Sequence, residues 1–191
     1  MIRAIAFDLF DTLVDQNHDR LRPLEVEGRR VGATTPALHA FAVQKMGVTL
    51  SQIEFAELQE SVDRELRVDT IDVGVELATL DRFTALATRP GSPDALKAAD
   101  AMTAIHMGML HGAVTVPSHH EDVLASLAID YPLALCSNFS HSPTARAILR
   151  EAGFEEHLKS IVISDEVGIR KPRPEIFECV RESLGLAAHE I

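Results

Sequence analysis

The stretch Ala4-Ile5-Ala6-Phe7-Asp8-Leu9-Phe10-Asp11-Thr12-Leu13-Val14-Asp15 decides the fold. A short apolar run ends on a carboxylate, and a second carboxylate and a hydroxyl follow within four residues. A run this short, apolar and bounded by polar residues reads as a buried strand. Asp8 then sits where the strand opens into a loop, the edge at which ligand chemistry gathers in an open parallel sheet. The bland alternative is an edge strand followed by a polar turn, and the rest of the chain has to separate the two.

Downstream of residue 114 the strand and helix patterns alternate. Residues 119–129 have a helical pattern, and Pro132-Leu133-Ala134-Leu135-Cys136 is a buried strand that ends at Ser137-Asn138. Ser142-Pro143 opens a helix that Gly153 stops, since proline suits a first turn and glycine the position past the last. Ser160-Ile161-Val162-Ile163 is another short strand, opening into a loop at Ser164-Asp165-Glu166-Val167-Gly168. Lys171-Pro172-Arg173-Pro174 leads into a helix with Ile176, Phe177, Val180 and Leu184 on one face, closed by Gly185. This rhythm predicts a parallel α/β core. Its strand ends would bring Asp8, Asp11 and Thr12 to one edge with Ser137, Asn138 and Lys171.

Residues 16–113 carry a different pattern. Residues 16–35 are polar and irregular and read as a loop. Pro36 and Gly47 bracket a first helix. Ser51-Gln52-Ile53-Glu54 has the form of a capping box, followed by an apolar stripe at Phe55, Leu58, Val62 and Leu66. A third helix is expected over much of 74–88, broken at Arg89-Pro90-Gly91. Ser92-Pro93 opens a fourth, with Leu96, Ala99, Met102, Ile105 and Met109 as its stripe. The predicted organisation is a core of residues 1–15 and 114–191 with an all-helical insertion at 16–113.

Composition narrows the function. The chain has 191 residues, 46% of them hydrophobic, and a net charge of -11 from 18 basic and 29 acidic side chains. So acidic a chain is poorly suited to gripping a phosphate backbone, which argues against nucleic acid as a partner. No apolar run approaches the roughly 18 residues of a membrane span. Cys136 and Cys179 form neither a metal-ligand spacing nor a disulfide framework, and both read as small core residues. With no signal-peptide layout at the start, a reducing, cytoplasmic compartment is expected.

The three polar clusters together carry a resemblance. The chain resembles the haloacid dehalogenase superfamily of hydrolases at Phe7-Asp8-Leu9-Phe10-Asp11-Thr12-Leu13, at Leu135-Cys136-Ser137-Asn138, and at Ser164-Asp165-Glu166-Val167-Gly168-Ile169-Arg170-Lys171-Pro172-Arg173-Pro174-Glu175-Ile176-Phe177. The resemblance implies a Rossmann-like parallel sheet core with an inserted α-helical cap. It implies that Asp8 is the nucleophile of a covalent aspartyl intermediate, that Ser137 and Asn138 bind the transferred group, that Lys171 steadies it, and that Thr12 supports the first loop. It also implies Mg²⁺ held by Asp8 and the Phe10 backbone carbonyl and a small-molecule substrate, and it leaves a homodimer open.

Two departures from the family pattern shape the functional expectation. Phosphatases of the superfamily carry an acid–base Asp two residues after the nucleophile, where this chain has Phe10. Asp11, one residue later, would point to the opposite face of a strand. An aromatic residue at this position is similar to the dehalogenase branch, in which a departing halide needs no proton and no metal is required. That branch's halide-binding basic residue has no clear counterpart; His39, Arg29 and Arg30 lie only in its neighbourhood. The family's fourth motif, a Gly-Asp strand beside the first strand, would follow Ile191. The expectation is therefore a first strand with one open edge, explained by a sequence that is part of a longer protein, the favoured reading, or by another chain that covers the edge. The leading reading is a dehalogenase-like hydrolase of a small anionic substrate. The alternatives are a Mg²⁺-dependent small-molecule phosphatase and a non-catalytic binding relative.

Overall fold

The computed structural model describes residues 1–92 and 94–191. In chain order the elements are β1 (Ile5–Phe7), β2 (Asp15–Gln16), β3 (Leu24–Val26), β4 (Arg29–Val31), α1 (Thr35–Met46), α2 (Gln52–Val68), α3 (Thr79–Thr88), α4 (Ala95–His111), β5 (Val114–Thr115), α5 (His120–Asp130), β6 (Leu133–Ser137), α6 (Ser142–Glu151), β7 (Leu158–Ile163), α7 (Ser164–Val167) and α8 (Pro174–Leu184). They form two compact units. One comprises Met1–Gln16, Val73–Glu76 and Val114–Ile191, the other Asn17–Asp72 and Leu77–Ala113.

The first unit is built on a parallel sheet of order β1-β6-β7. Successive strand residues face opposite sides, and the sequence serves both. Leu133, Leu135 and Ile163 pack with Leu124, Ile148, Leu149 and Phe154 on one face. Ala134, Cys136 and Val162 pack with Ile176, Val180 and Leu184 of α8 on the other. All five residues of β6 are buried, which explains its unbroken apolar run. β1 pairs with β6 in the register Ile5↔Leu133 and Phe7↔Leu135 and has no second strand neighbour among the described residues. Ala6, in mid-strand, is exposed. A groove of about 550 Å³ borders this strand, lined by Ala4, Ala6, Asp8, Lys171, Phe177 and Arg181 among others. The short antiparallel pair β2–β5 joins the residues that flank the insertion.

The second unit is helical. Gly47, at φ 69°, closes α1, and the Ser51–Glu54 capping box is present in full. Phe55, Val62, Phe83, Leu86, Ala99 and Met102 form its interior. Four local expectations are corrected here. Residues 16–35 contain a hairpin, β3–β4, whose two-residue turn Glu27-Gly28 has φ of 49° and 78°. That turn twists with the strands and favours glycine at its second position. The third helix starts at Thr79 rather than 74, because Gly74 sits at φ 77° and Val75 bridges Ile169. Leu96 lies on the solvent face of α4, 58% exposed, while Ala98 and Met107 are buried in the stripe. Residues 164–167 form one helical turn, ended by Gly168 at φ 73°. Of the Ser92-Pro93 helix start, Pro93 lies outside the described residues; the side chain of Asp94 caps α4 by accepting from Lys97 N–H at 3.2 Å.

Candidate active site

Asp8 is the first residue past β1. Its Oδ1 accepts from the N–H of Leu9 at 2.8 Å, and its Oδ2 lies 2.7 Å from the Lys171 ammonium. Asp8 keeps 43% of its side chain exposed and Lys171 21%, so the pair is fixed on the protein side and open on the other. Lys171 Nζ also donates to the backbone carbonyl of Cys136 at 2.8 Å, inside β6. The ammonium therefore bridges the ends of β1 and β6, though it comes from the segment before α8.

Asn138 sets the height of that lysine. Its Nδ2 donates to Lys171 C=O at 3.0 Å, and its Oδ1 accepts from Lys171 N–H at 2.7 Å. Both ends of the carboxamide are thus engaged with one backbone unit. Ser137, the last residue of β6, is 1% exposed, and its hydroxyl has no hydrogen-bond partner among the described residues. A buried hydroxyl without a partner costs about 1–3 kcal/mol, and native structures rarely retain one.

After Asp8 the chain turns tightly. Leu9 C=O accepts from the N–H groups of both Leu13 and Val14, at 2.9 and 3.0 Å, and Asp11 N–H donates to Val14 C=O at 2.7 Å. Asp11 takes φ 55°, a left-handed conformation that aspartate tolerates better than most residues. Its Oδ1 accepts from Gln16 N–H at 3.3 Å. Thr12 is exposed on the same turn. Phe10, two residues after Asp8, stacks its ring on Phe139 with centroids 4.7 Å apart. His120 Nδ1 lies 2.9 Å from the Leu13 carbonyl and ties α5 to the turn.

The structure thus joins Asp8 to the Lys171 ammonium and Asn138 to the Lys171 backbone, with Ser137 at the adjoining strand end. Two basic residues of the insertion have partners of their own: Arg29 pairs with Glu57 and Glu60 of α2, and His39 Nε2 lies 2.8 Å from the Leu50 carbonyl. Two contributors were invisible in the sequence. The Cys136 carbonyl is a backbone group that any residue supplies, and His120 reaches Leu13 only through the packing of α5. As for a cation, Mg²⁺ asks for near-octahedral oxygen ligation. Asp8 and the Phe10 carbonyl are oxygen donors, but Asp8 belongs to no group of three or more His, Cys, Asp or Glu side chains of metal-binding proximity among the described residues. One of its oxygens already faces an ammonium. The donors present do not make a magnesium site.

The model of the haloacid dehalogenase-like hydrolases matches residues 2–191. Among solved structures, the chain is similar to a 2-haloacid dehalogenase from Pseudomonas syringae pv. Tomato (18% identity, 100% of this chain and 76% of that one, TM-score 0.67). It is also similar to a HAD family enzyme from Bacteroides thetaiotaomicron (18% identity, 99% and 81%, TM-score 0.58). A third is the L-2-haloacid dehalogenase from Xanthobacter autotrophicus (21% identity, 100% and 68%, TM-score 0.50). These likenesses are of fold. No curated protein matches the chain.

Proposed function

The chain belongs to the haloacid dehalogenase-like hydrolases, and from that premise we propose that it cleaves the carbon–halogen bond of a small anionic substrate through a covalent ester on Asp8. The observation that carries this reading is the Asp8–Lys171 pair, 2.7 Å apart, together with Phe10 at the sequence position, two residues after Asp8, where the family's phosphatases carry a proton donor. In the first step an Asp8 carboxylate oxygen attacks the substrate carbon, a C–O bond forms, and the halide departs with the electron pair of the C–X bond. No proton is transferred, which suits a site with phenylalanine at that position. In the second step water adds to the ester, the product leaves as an alcohol, Asp8 is regenerated and one proton goes to solvent. A carboxylate nucleophile divides the displacement into two easier steps.

Lys171 holds Asp8 in line and offers positive charge to the substrate carboxylate and the developing anion. Preorganised charge of this kind accounts for roughly 10²–10³-fold in rate where it has been removed. The buried Ser137 hydroxyl is a donor waiting for a substrate oxygen. The net charge of -11 suits a small molecule better than nucleic acid as the partner.

The test is incubation with 2-haloacids and with a panel of phosphomonoesters. The expected result is halide release without added metal, abolished in Asp8→Asn and reduced about a hundredfold in Lys171→Met. Phosphate release that requires Mg²⁺, survives Phe10→Ala and disappears in Asp11→Asn overturns the reading in favour of a phosphatase.

A further inference from the structure

A carboxylate outside the catalytic pair is more deeply buried than either member of it. Glu76 has 2% of its side chain exposed. It is carried to its place by a short antiparallel bridge, in which Glu76 N–H donates to Gly168 C=O and Arg170 N–H donates to Gly74 C=O, each at 3.0 Å, with Val75 opposite Ile169. Glycine suits position 74, whose φ of 77° few side chains adopt and where a Cβ would displace the Arg173 side chain. Burying an ionised carboxylate is costly unless it is paired and hydrogen-bonded, and this one is both. Arg170 Nη1 donates to its two oxygens at 2.7 and 2.8 Å, and the Ser164 hydroxyl donates to Oε2.

The partners of Glu76 lead to the same place by two routes. Arg170 immediately precedes Lys171. The Ser164 hydroxyl, which donates its hydrogen bond to Glu76, accepts from Phe139 N–H at 2.9 Å, and Phe139 immediately follows Asn138. Glu76 thus fixes the peptide before Lys171 and the peptide after Asn138, the two residues whose mutual hydrogen bonds place the ammonium. Phe139 is also the residue that stacks on Phe10.

We propose that Glu76 is the positioning residue of the site: acting through Arg170 and Ser164, its buried carboxylate holds the Asn138–Lys171 clasp, and hence the ammonium, in register with Asp8. The catalytic part of this inference rests on the proposed function; the structural part does not.

The experiment compares the full chain with Glu76→Gln by hydrogen exchange and steady-state kinetics. The expected result is exchange about tenfold faster or more in segments 137–141 and 168–173, with α1 and α2 unchanged. A fall in kcat of about ten- to a hundredfold is expected with it, while KM stays within about twofold. Unchanged local exchange in a folded variant overturns the proposal, as does a uniform rise across the chain with kcat intact. If Glu76→Gln does not fold, the double variant Glu76→Met/Arg170→Met replaces the buried pair by side chains of similar bulk, an exchange that folds tolerate. It is expected to show the same local increase, and its absence is equally fatal. If the wild-type chain hydrolyses none of the probes, the proposed function fails, and the exchange pattern alone decides the role of Glu76.

Discussion

Asn138 holds Lys171 by its backbone, accepting the lysine N–H at 2.7 Å and donating to its carbonyl at 3.0 Å. The ammonium at the other end of that side chain then lies 2.7 Å from Asp8. A flexible four-carbon chain reaches a defined point more reliably when its root is fixed. A site that depends on reacting groups meeting within a fraction of an ångström gains from this.

Replacing Asn138 should therefore act on rate and stability together. Asn138→Ala removes two partly buried hydrogen bonds and leaves the Lys171 backbone groups to find others. The expected loss is about 1–3 kcal/mol, measured by denaturant unfolding. Asn138→Asp keeps the shape but sets a carboxylate oxygen against the Lys171 carbonyl, so it should be no better. Turnover should fall in both variants in proportion to the loss of order at Lys171. An Asn138→Ala chain as stable and active as wild type would show that the clasp is incidental.

Ser137 gives a prediction of opposite sign for stability and activity. Its hydroxyl is buried without a partner, so Ser137→Ala removes an unsatisfied group. The variant should be as stable as wild type or more so, by up to about 1–3 kcal/mol. If the hydroxyl meets substrate, KM or kcat/KM should worsen by about tenfold, as expected for one lost hydrogen bond. Thermal unfolding and initial rates measure the two halves independently. A destabilised variant with unchanged kinetics would assign the hydroxyl to the core.

His106 makes the stability of the helical unit depend on pH. Burial, and secondarily the positive charge of Arg82, lower its pKa to about 4; Nδ1 lies 2.9 Å from the Thr34 hydroxyl, and the ring meets Phe83 edge-on. The unfolded chain, with an ordinary histidine pKa near 6.5, binds the proton more readily than the folded one. Above pH 6.5 this difference contributes nothing. As pH falls from about 6.5 towards 4 the unfolded state is favoured, and at pH 5 the loss is about 2 kcal/mol. Denaturant unfolding at pH 7 and pH 5 should show a smaller drop for His106→Gln than for wild type by about that amount. Equal drops would place the imidazole in contact with solvent.

Where the sequence was informative, the local chemistry was decisive. The Ser51–Glu54 box, Gly47 past α1 and Gly185 past α8 are features whose partners lie within a few residues, and each forms as read. The apolar runs of β6 and β7 lie between two layers of helix side chains, so their burial follows from composition. The Glu27-Gly28 hairpin was missed, because the polar character of residues 16–35 reads as loop and hides a glycine set between Leu24-Glu25-Val26 and Arg29-Arg30-Val31. Leu96 misled because a helical stripe tells which residues share a face but not where that face ends. Glu76 carried no signal, because its partners lie 88 and 94 positions away.

The sequence by itself determined the alternation of strands and helices, the family, and the presence of Asp8, Ser137 and Asn138 at strand ends with Lys171 on the segment that leads into the last helix. These follow from periodicity, capping and residue type, which act over short separations. Only the tertiary structure decided what those residues do to one another. It turned Asn138 onto the Lys171 backbone, left the Ser137 hydroxyl without a partner, set Asp11 at φ 55° with its carboxylate on Gln16 N–H, and brought Glu76 to Arg170 and Ser164. Each is a contact made when distant segments pack, where the cost of burying a polar group selects the partner it must find.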